Sequence, residues 1–131
     1  MSDAGLPEMN SLYAIPKRNP SLREFVRYIS LNCFNHTLTL HIGETPDFAA
    51  FEWIHDLDAM SKNPFPLEED SITLEFNDPL QHPVGTLVLK GLLLVNHECS
   101  GMVIVGDKMH RPVCHKVVVQ YSKLEIVKKS D

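Results

Sequence analysis

The stretch TLTLHIGETPDFAAFEWIHDLDAM, residues 37–60, predicts a strand that leads directly into a helix. Apolar and polar side chains alternate over residues 37–42, a pattern typical of a strand that has one face in a protein core. We expect three of these side chains to face the core, namely Leu38, Leu40 and Ile42. Gly43 and Glu44 interrupt the alternation, so we expect the strand to end there.

The residues that follow are typical of a helix N-terminus. Thr45 can serve as the N-cap, Pro46 suits the first helical position, and Asp47 suits the positive end of the helix dipole. Apolar residues then recur at spacings of three and four: Ala50, Trp53, Ile54, Leu57 and Met60. The prolines at 64 and 66 end this pattern, because proline cannot donate a backbone hydrogen bond. We therefore expect an amphipathic helix over about residues 46–62, packed against a sheet.

The other β-type segments lie on both sides of this stretch. Residues 25–42 contain two strand-like runs, and residues 71–76 alternate with Ile72, Leu74 and Phe76 inward. Residues 86–95 form a longer run that is interrupted by a glycine at 91, where a bulge or a close backbone approach is expected. Residues 115–127 predict one last long strand, whose inward side chains would be Val117, Val119 and Tyr121.

These elements predict an α+β fold, a mostly antiparallel β-barrel or sandwich flanked by one amphipathic helix. With 131 residues and 44% hydrophobic residues, the chain fits a single domain. We expect that domain to cover residues 25–131, preceded by a proline-rich N-terminal arm, residues 1–24, that is either flexible or docked. The residues predicted to form the core are Phe48, Trp53, Leu57, Leu89, Val119 and Tyr121.

Composition argues against several classes of function. The net charge is −5, and the basic residues are scattered singly, without the basic stripe that nucleic-acid binding usually needs. No apolar run approaches the roughly 18 residues of a membrane span, and no signal peptide precedes the first segments. The three cysteines are irregularly spaced, which favours free thiols in a reducing cytoplasm over a disulfide framework.

The densest group of potential metal ligands is a cysteine and histidine cluster near the C-terminus: His97, Cys99, His110, Cys114 and His115. Thiolate and imidazole are the ligands that zinc prefers. If a tight hairpin turn were centred on residues 106–107, Cys99 would lie opposite Cys114. Against zinc, the cluster contains no C-x-x-C motif, and Pro112 disturbs the pairing. Zinc held by Cys99, Cys114 and a histidine remains an alternative; buried thiols and surface histidines are the other.

No motif identifies an active site, a cofactor site or a metal site. Cys114 could act as a nucleophile only with a nearby base such as His110 or His115. Adjacent residues of a strand point to opposite faces, so Cys114 and His115 should not pair. The acidic run 68–70 is typical of a solvated surface, and no glycine-rich phosphate loop is present. We expect no catalytic residue, no cofactor and no enzymatic activity.

The order of these segments resembles the tail-tube proteins of contractile-tailed bacteriophages and the tube protein of type VI secretion systems. The resemblance covers about residues 37–127. It is carried by the strand and tryptophan-containing helix of residues 37–60, by DSITLEFNDP at 70–79, by TLVLKGL at 86–92 and by KVVVQYSKLEI at 116–126. In the family, the chain ends in a strand of the form apolar-x-Tyr-x-x-Leu-Glu-Ile, which residues 119–126 match.

The resemblance implies a structural subunit of a phage virion tail, in the tube, the neck or the baseplate. Such subunits form six-fold rings whose sheets join edge to edge around a channel, so the expected partners are further copies and other tail proteins. DNA would pass through an acidic channel without specific binding. The residues before Phe25 are fewer and richer in proline than the N-terminal strands of tube proteins. This difference fits a tail-end, neck or baseplate subunit as well as one in a long tube. The alternative function is a small cytoplasmic binding or regulatory module, zinc-stabilised by the cluster described above.

Overall fold

The computed structural model describes residues 11–63, 70–102 and 111–128. These ranges contain eight strands, one α-helix and one short 3₁₀ helix at Pro20–Phe25. The strands are β1 (Ser11–Pro16), β2 (Val26–Asn32), β3 (Thr37–Gly43), β4 (Ser71–Asn77), β5 (Pro83–Lys90), β6 (Leu93–Met102), β7 (Arg111–Gln120) and β8 (Lys123–Lys128); the helix α1 is Ala49–Lys62.

The strands form two four-stranded sheets. The first sheet has the order β1-β4-β5-β8 and the second has the order β2-β3-β7-β6. All of the strand pairs are antiparallel. The sheets do not close into a barrel, so of the two predicted arrangements the sandwich is confirmed, together with the α+β class.

The core lies between the sheets and under α1. Leu38, Leu40 and Ile42 of β3 are fully buried, which confirms their predicted orientation. The other buried side chains include Ile72 and Leu74 of β4, Val117 and Val119 of β7, and Trp53 and Leu57 of α1. Each such side chain contributes about 1.5–3 kcal/mol relative to exposure. Five of the six residues predicted to form the core are buried, which confirms the prediction for Trp53, Leu57, Leu89, Val119 and Tyr121.

The sixth, Phe48, was predicted wrongly. It occupies the N-cap of α1 in the left-handed backbone region, with φ 62°, and 63% of it is exposed. The helix begins at Ala49 rather than near residue 46, because a turn precedes it in which the Phe48 N–H donates to the Thr45 carbonyl at 3.2 Å. The helix ends at Lys62, as expected. In the described part of the chain, no helix is long and apolar enough to cross a membrane.

Two predicted long strands are each divided between the two sheets. The run 86–95 breaks at Gly91, which has φ +66°, so β5 lies in the first sheet and β6 in the second. The run 115–127 breaks at 121–122, between β7 and β8. The two breaks touch each other, because the Ser122 N–H donates to the Lys90 carbonyl at 3.0 Å. The glycine thus marks a change of sheet, not a bulge within one strand.

The sequence analysis assigned residues 1–24 to an N-terminal arm. From Ser11 to Pro16 the structure places this segment in the first sheet as β1, paired with β4 so that Ala14 lies opposite Leu74. Ala14 is fully buried, and the 3₁₀ helix that follows buries Leu22. Residues 1–10 lie outside the described ranges. Residues 11–25 therefore contribute a strand and a 3₁₀ helix to the sandwich.

Gly91→Ala should destabilise the protein by about 1–3 kcal/mol, because a non-glycine residue is strained at positive φ. The added Cβ would also lie 1.8 Å from the Ser122 Oγ. Gly43→Ala is the matched control, since its Cβ would meet its nearest neighbour, the Phe25 carbonyl oxygen, at 3.6 Å; it should change stability by less than about 0.5 kcal/mol. Urea unfolding of both variants checks this, and equal losses would contradict the role given to the Gly91 crossover.

Candidate functional site

The cysteine and histidine cluster does not assemble as the sequence suggested. Cys99 lies opposite His115 in the β6–β7 register, and Ser100 lies opposite Cys114. The expected Cys99–Cys114 pairing is therefore wrong by one position, and both cysteines are free thiols. His110 and the hairpin turn expected at 106–107 lie outside the described residues. Within the described ranges, no group of three or more potential ligands could hold a metal ion.

A different polar network occupies the space near the start of α1. His115 is fully buried, and its Nε2 lies 3.0 Å from the Glu44 Oε1. Its Nδ1 lies 2.9 Å from the Nε2 of His97 on β6. The network therefore joins β6 and β7 to the segment between β3 and α1. The sequence pattern indicates only that Glu44 interrupts β3, and it gives no sign of this polar contact. His115, by contrast, alternates in step with Val117 and Val119, so its inward orientation was predictable from the sequence.

Glu44 caps the helix from inside the protein. Its carboxylate accepts hydrogen bonds from the backbone N–H groups of Thr45 at 2.8 Å, Ala50 at 3.1 Å and Phe51 at 3.0 Å. Burial raises the pKa of this carboxyl, but these hydrogen bonds and the one with His115 outweigh burial and hold the pKa below its ordinary value. Glu44 is therefore ionised at neutral pH, so the Nε2 of His115 is the donor in their contact.

The remaining hydrogen positions follow from this assignment. In the neutral state the Nδ1 of His115 is an acceptor, so the Nε2 of His97 donates to it. Burial, together with the charge that His115 can carry, lowers the pKa of His97. The Phe51 ring meets both imidazoles edge-on, at centroid distances of 4.9 Å from His115 and 5.8 Å from His97.

The network lacks the parts of a nucleophilic site. The Cys114 Sγ makes only a 4.0 Å contact with the backbone oxygen of His115, and alternation along β7 directs its side chain away from the imidazole. The predicted separation of Cys114 from His115 therefore holds in the structure. The arrangement can position a helix and hold protons, but it does not activate a thiol.

A groove of about 350 Å³ lies beside this network, between α1 and β6. Its lining is mixed: Phe51, Ile54, His55, Asp58, Leu94, Val95, Asn96 and His97. At the far end of the helix, the Ser61 Oγ accepts a hydrogen bond from the Leu94 N–H at 2.8 Å. The helix therefore covers part of the outer edge of β6.

The edge of the first sheet at β8 has a different character. Strand β8 pairs with β5 on one side, and its apolar residues Ile126 and Val127 are 67% and 52% exposed. Together with Phe76, Val84 and Leu87 they line a mostly apolar groove of about 250 Å³. An exposed edge with apolar side chains on both faces is a surface that can pair with another strand.

Comparisons with known proteins identify the fold. Neither a protein-family model nor a curated protein matches the sequence. Among solved structures, the chain is similar to one in the six-fold symmetrised cryo-EM structure of the anti-feeding prophage (AFP) baseplate. The two chains share 13% sequence identity with a TM-score of 0.51, and the match covers 98% of each chain. At this identity the likeness shows a shared fold over the whole length.

Glu44→Gln should destabilise the protein by about 1–3 kcal/mol at pH 7, because buried backbone donors and His115 lose a charged acceptor. The carboxylate contributes stability above its unfolded pKa of 4.5, and that stability is lost as the pH falls through the lower folded pKa. The variant should therefore lose less stability between pH 5 and pH 3 than the wild type. Glu52→Gln is the control, because Glu52 is an exposed carboxylate in the first turn of α1. Equal effects in urea unfolding would contradict the capping role.

Proposed function

We propose that this protein is a structural subunit of a phage-like virion tail, a tube-like protein of the tube, neck or baseplate that assembles through its strand edges into a ring. Two findings support the proposal. The segment order resembles tail-tube proteins, and the fold matches a chain of a six-fold symmetrised baseplate from end to end.

The observation that carries the proposal is the β8 edge. Exposed apolar side chains on an edge strand are an aggregation hazard in a monomer, and pairing with another chain removes the hazard. Strand β8 has two of them between charged residues. The edge of β6 is partly covered by α1 through the Ser61–Leu94 hydrogen bond. Leu93 and Val95 of β6 are 44% and 56% exposed, whereas Ile126 and Val127 of β8 reach 67% and 52%.

The opposite side of the molecule offers a surface that can receive this edge. Strands β1 and β8 lie at the two ends of the first sheet, so a head-to-tail contact between them would continue that sheet from one copy to the next. Beside β1 lies a groove of about 250 Å³ lined by Leu12, Val26, Arg27, Tyr28 and Ile29. Head-to-tail contacts of this kind close into a ring when the rotation between copies divides a full turn.

The proposed role is architectural and requires no catalytic residue or cofactor. Its partners would be further copies of the chain and other tail proteins, and the protein would be made in the host cytoplasm and end in the virion. The net charge of −5 suits a channel wall, because DNA passing nearby would be repelled rather than bound.

Light scattering and negative-stain electron microscopy of the purified protein test the proposal. We expect rings or stacked rings at high concentration. Ile126→Glu should convert them to monomers, because a charge on the apolar edge would be buried in the contact. Phe34→Glu is the matched control, since Phe34 is 98% exposed in the turn between β2 and β3. It should leave the rings intact.

Circular dichroism of both variants distinguishes a lost contact from a lost fold. A wild-type protein that stays monomeric at every concentration, alone and with baseplate proteins of the same phage, would overturn the ring proposal. Rings that survive Ile126→Glu would keep the function but exclude the β8 edge as its contact.

A further inference from the structure

We propose that the His97–His115 pair is a proton-sensitive contact that holds edge strand β6 in place near neutral pH and loosens it in mild acid. This inference does not depend on the proposed function, because it rests on the geometry of one subunit. Its consequence would be a change in the surface between β6 and α1 when the protein is acidified.

The geometry of the two imidazoles limits how many protons they can hold. The His97 Nε2 and the His115 Nδ1 are 2.9 Å apart, a distance that accommodates one hydrogen between them and not two. The Nε2 of His115 already carries a hydrogen that is donated to Glu44. The closed pair can therefore accept one added proton, on the Nδ1 of His97. A second added proton would have to bind the Nδ1 of His115, where its N–H would point at the N–H of the His97 Nε2.

Opening of the pair must therefore take up protons in mild acid. Separated histidines exposed to water each accept a proton below a pH of about 6.5. The closed pair accepts at most one, so opening binds at least one more proton and becomes more favourable as the pH falls. The stability of the contact is full above about pH 6.5 and decreases below it, because the pKa of His97 is lowered in the folded protein.

Charged groups face the imidazole pair from the segment before α1 and from α1 itself. Glu44 faces His115 from the segment before α1 at 3.0 Å. From α1 itself, His55 and Asp58 line the groove beside His97, and Asp58 is already paired with Lys62 at 2.9 Å. Among the described residues, the other titratable groups on these elements are Glu52 and Asp56 on α1, Glu98 and Cys99 on β6, Cys114 and Lys116 on β7, and His41 on β3.

The segment of β6 that carries His97 is suited to local opening. Its pairing with β7 shifts register between Leu94 and Asn96 and again between Ser100 and Met102. The regular pairing between these irregularities is short, and β6 is the edge strand of its sheet. Loss of the imidazole contact would leave this short segment held by its backbone hydrogen bonds and by the Phe51 ring.

Nuclear magnetic resonance of the histidine rings tests the proposal on the wild-type protein. We expect the His97 ring to titrate below pH 6.5, and the backbone amides of β6 to lose protection from hydrogen exchange, relative to those of β4, between pH 7.5 and pH 5.5. Each pKa unit between the closed and open states corresponds to about a tenfold change in the opening equilibrium.

His97→Gln separates the proton effect from the hydrogen bond, because the glutamine amide can donate to His115 without titrating. This variant should keep the protection of β6 at pH 5.5. His55→Gln is the matched control, since the His55 side chain lines the same groove and is 81% exposed; it should lose protection as the wild type does. The proposal would be overturned by an ordinary pKa for His97. It would also be overturned if the β6 amides of His97→Gln lost as much hydrogen-exchange protection in acid as those of the wild type.

Discussion

The carboxylate of Glu44 is the contact on which the arrangement of helix and sheets depends. It follows β3, accepts hydrogen bonds from the Ala50 and Phe51 N–H groups of α1, and contacts the buried His115 of β7 at 3.0 Å. A helix N-terminus buried without acceptors would be costly, and a buried histidine without a partner would be costly too. One ionised side chain offsets both costs. It therefore joins the first turn of α1 to β7 of the second sheet.

A second constraint links the two sheets, at the end of β7 that lies away from His115. The chain changes sheet at Gly91 and again at 121–122, and these crossings contact each other through the Ser122 N–H and the Lys90 carbonyl. Only glycine tolerates both the positive φ and the 1.8 Å approach that a Cβ at this position would have to the Ser122 Oγ. The sandwich thus depends on the carboxylate of Glu44 before α1 and on the absence of a side chain at Gly91.

Local periodicity was sufficient to predict β3, β4, α1 and their inward residues, because alternation and helical spacing depend only on near neighbours. The division of residues 86–95 was not predictable in this way, since Leu and Val are frequent on both sides of Gly91 and local alternation does not show which sheet a strand joins. The Glu44–His115 contact spans 71 positions and leaves no local pattern. The zinc hypothesis depended on hairpin register, and a shift of one position was enough to place Cys99 opposite His115.

The edge strands of the two sheets differ in how far other parts of the molecule cover them. On the second sheet, β6 is held by the helix through Ser61 and by the imidazole pair, so its edge is partly occupied. On the first sheet, β8 exposes Ile126 and Val127. At the other end of that sheet, a groove lies between Leu12 of β1 and residues 26–29 of β2 in the second sheet. The proposed head-to-tail contact requires two edges of this kind at opposite ends of one sheet.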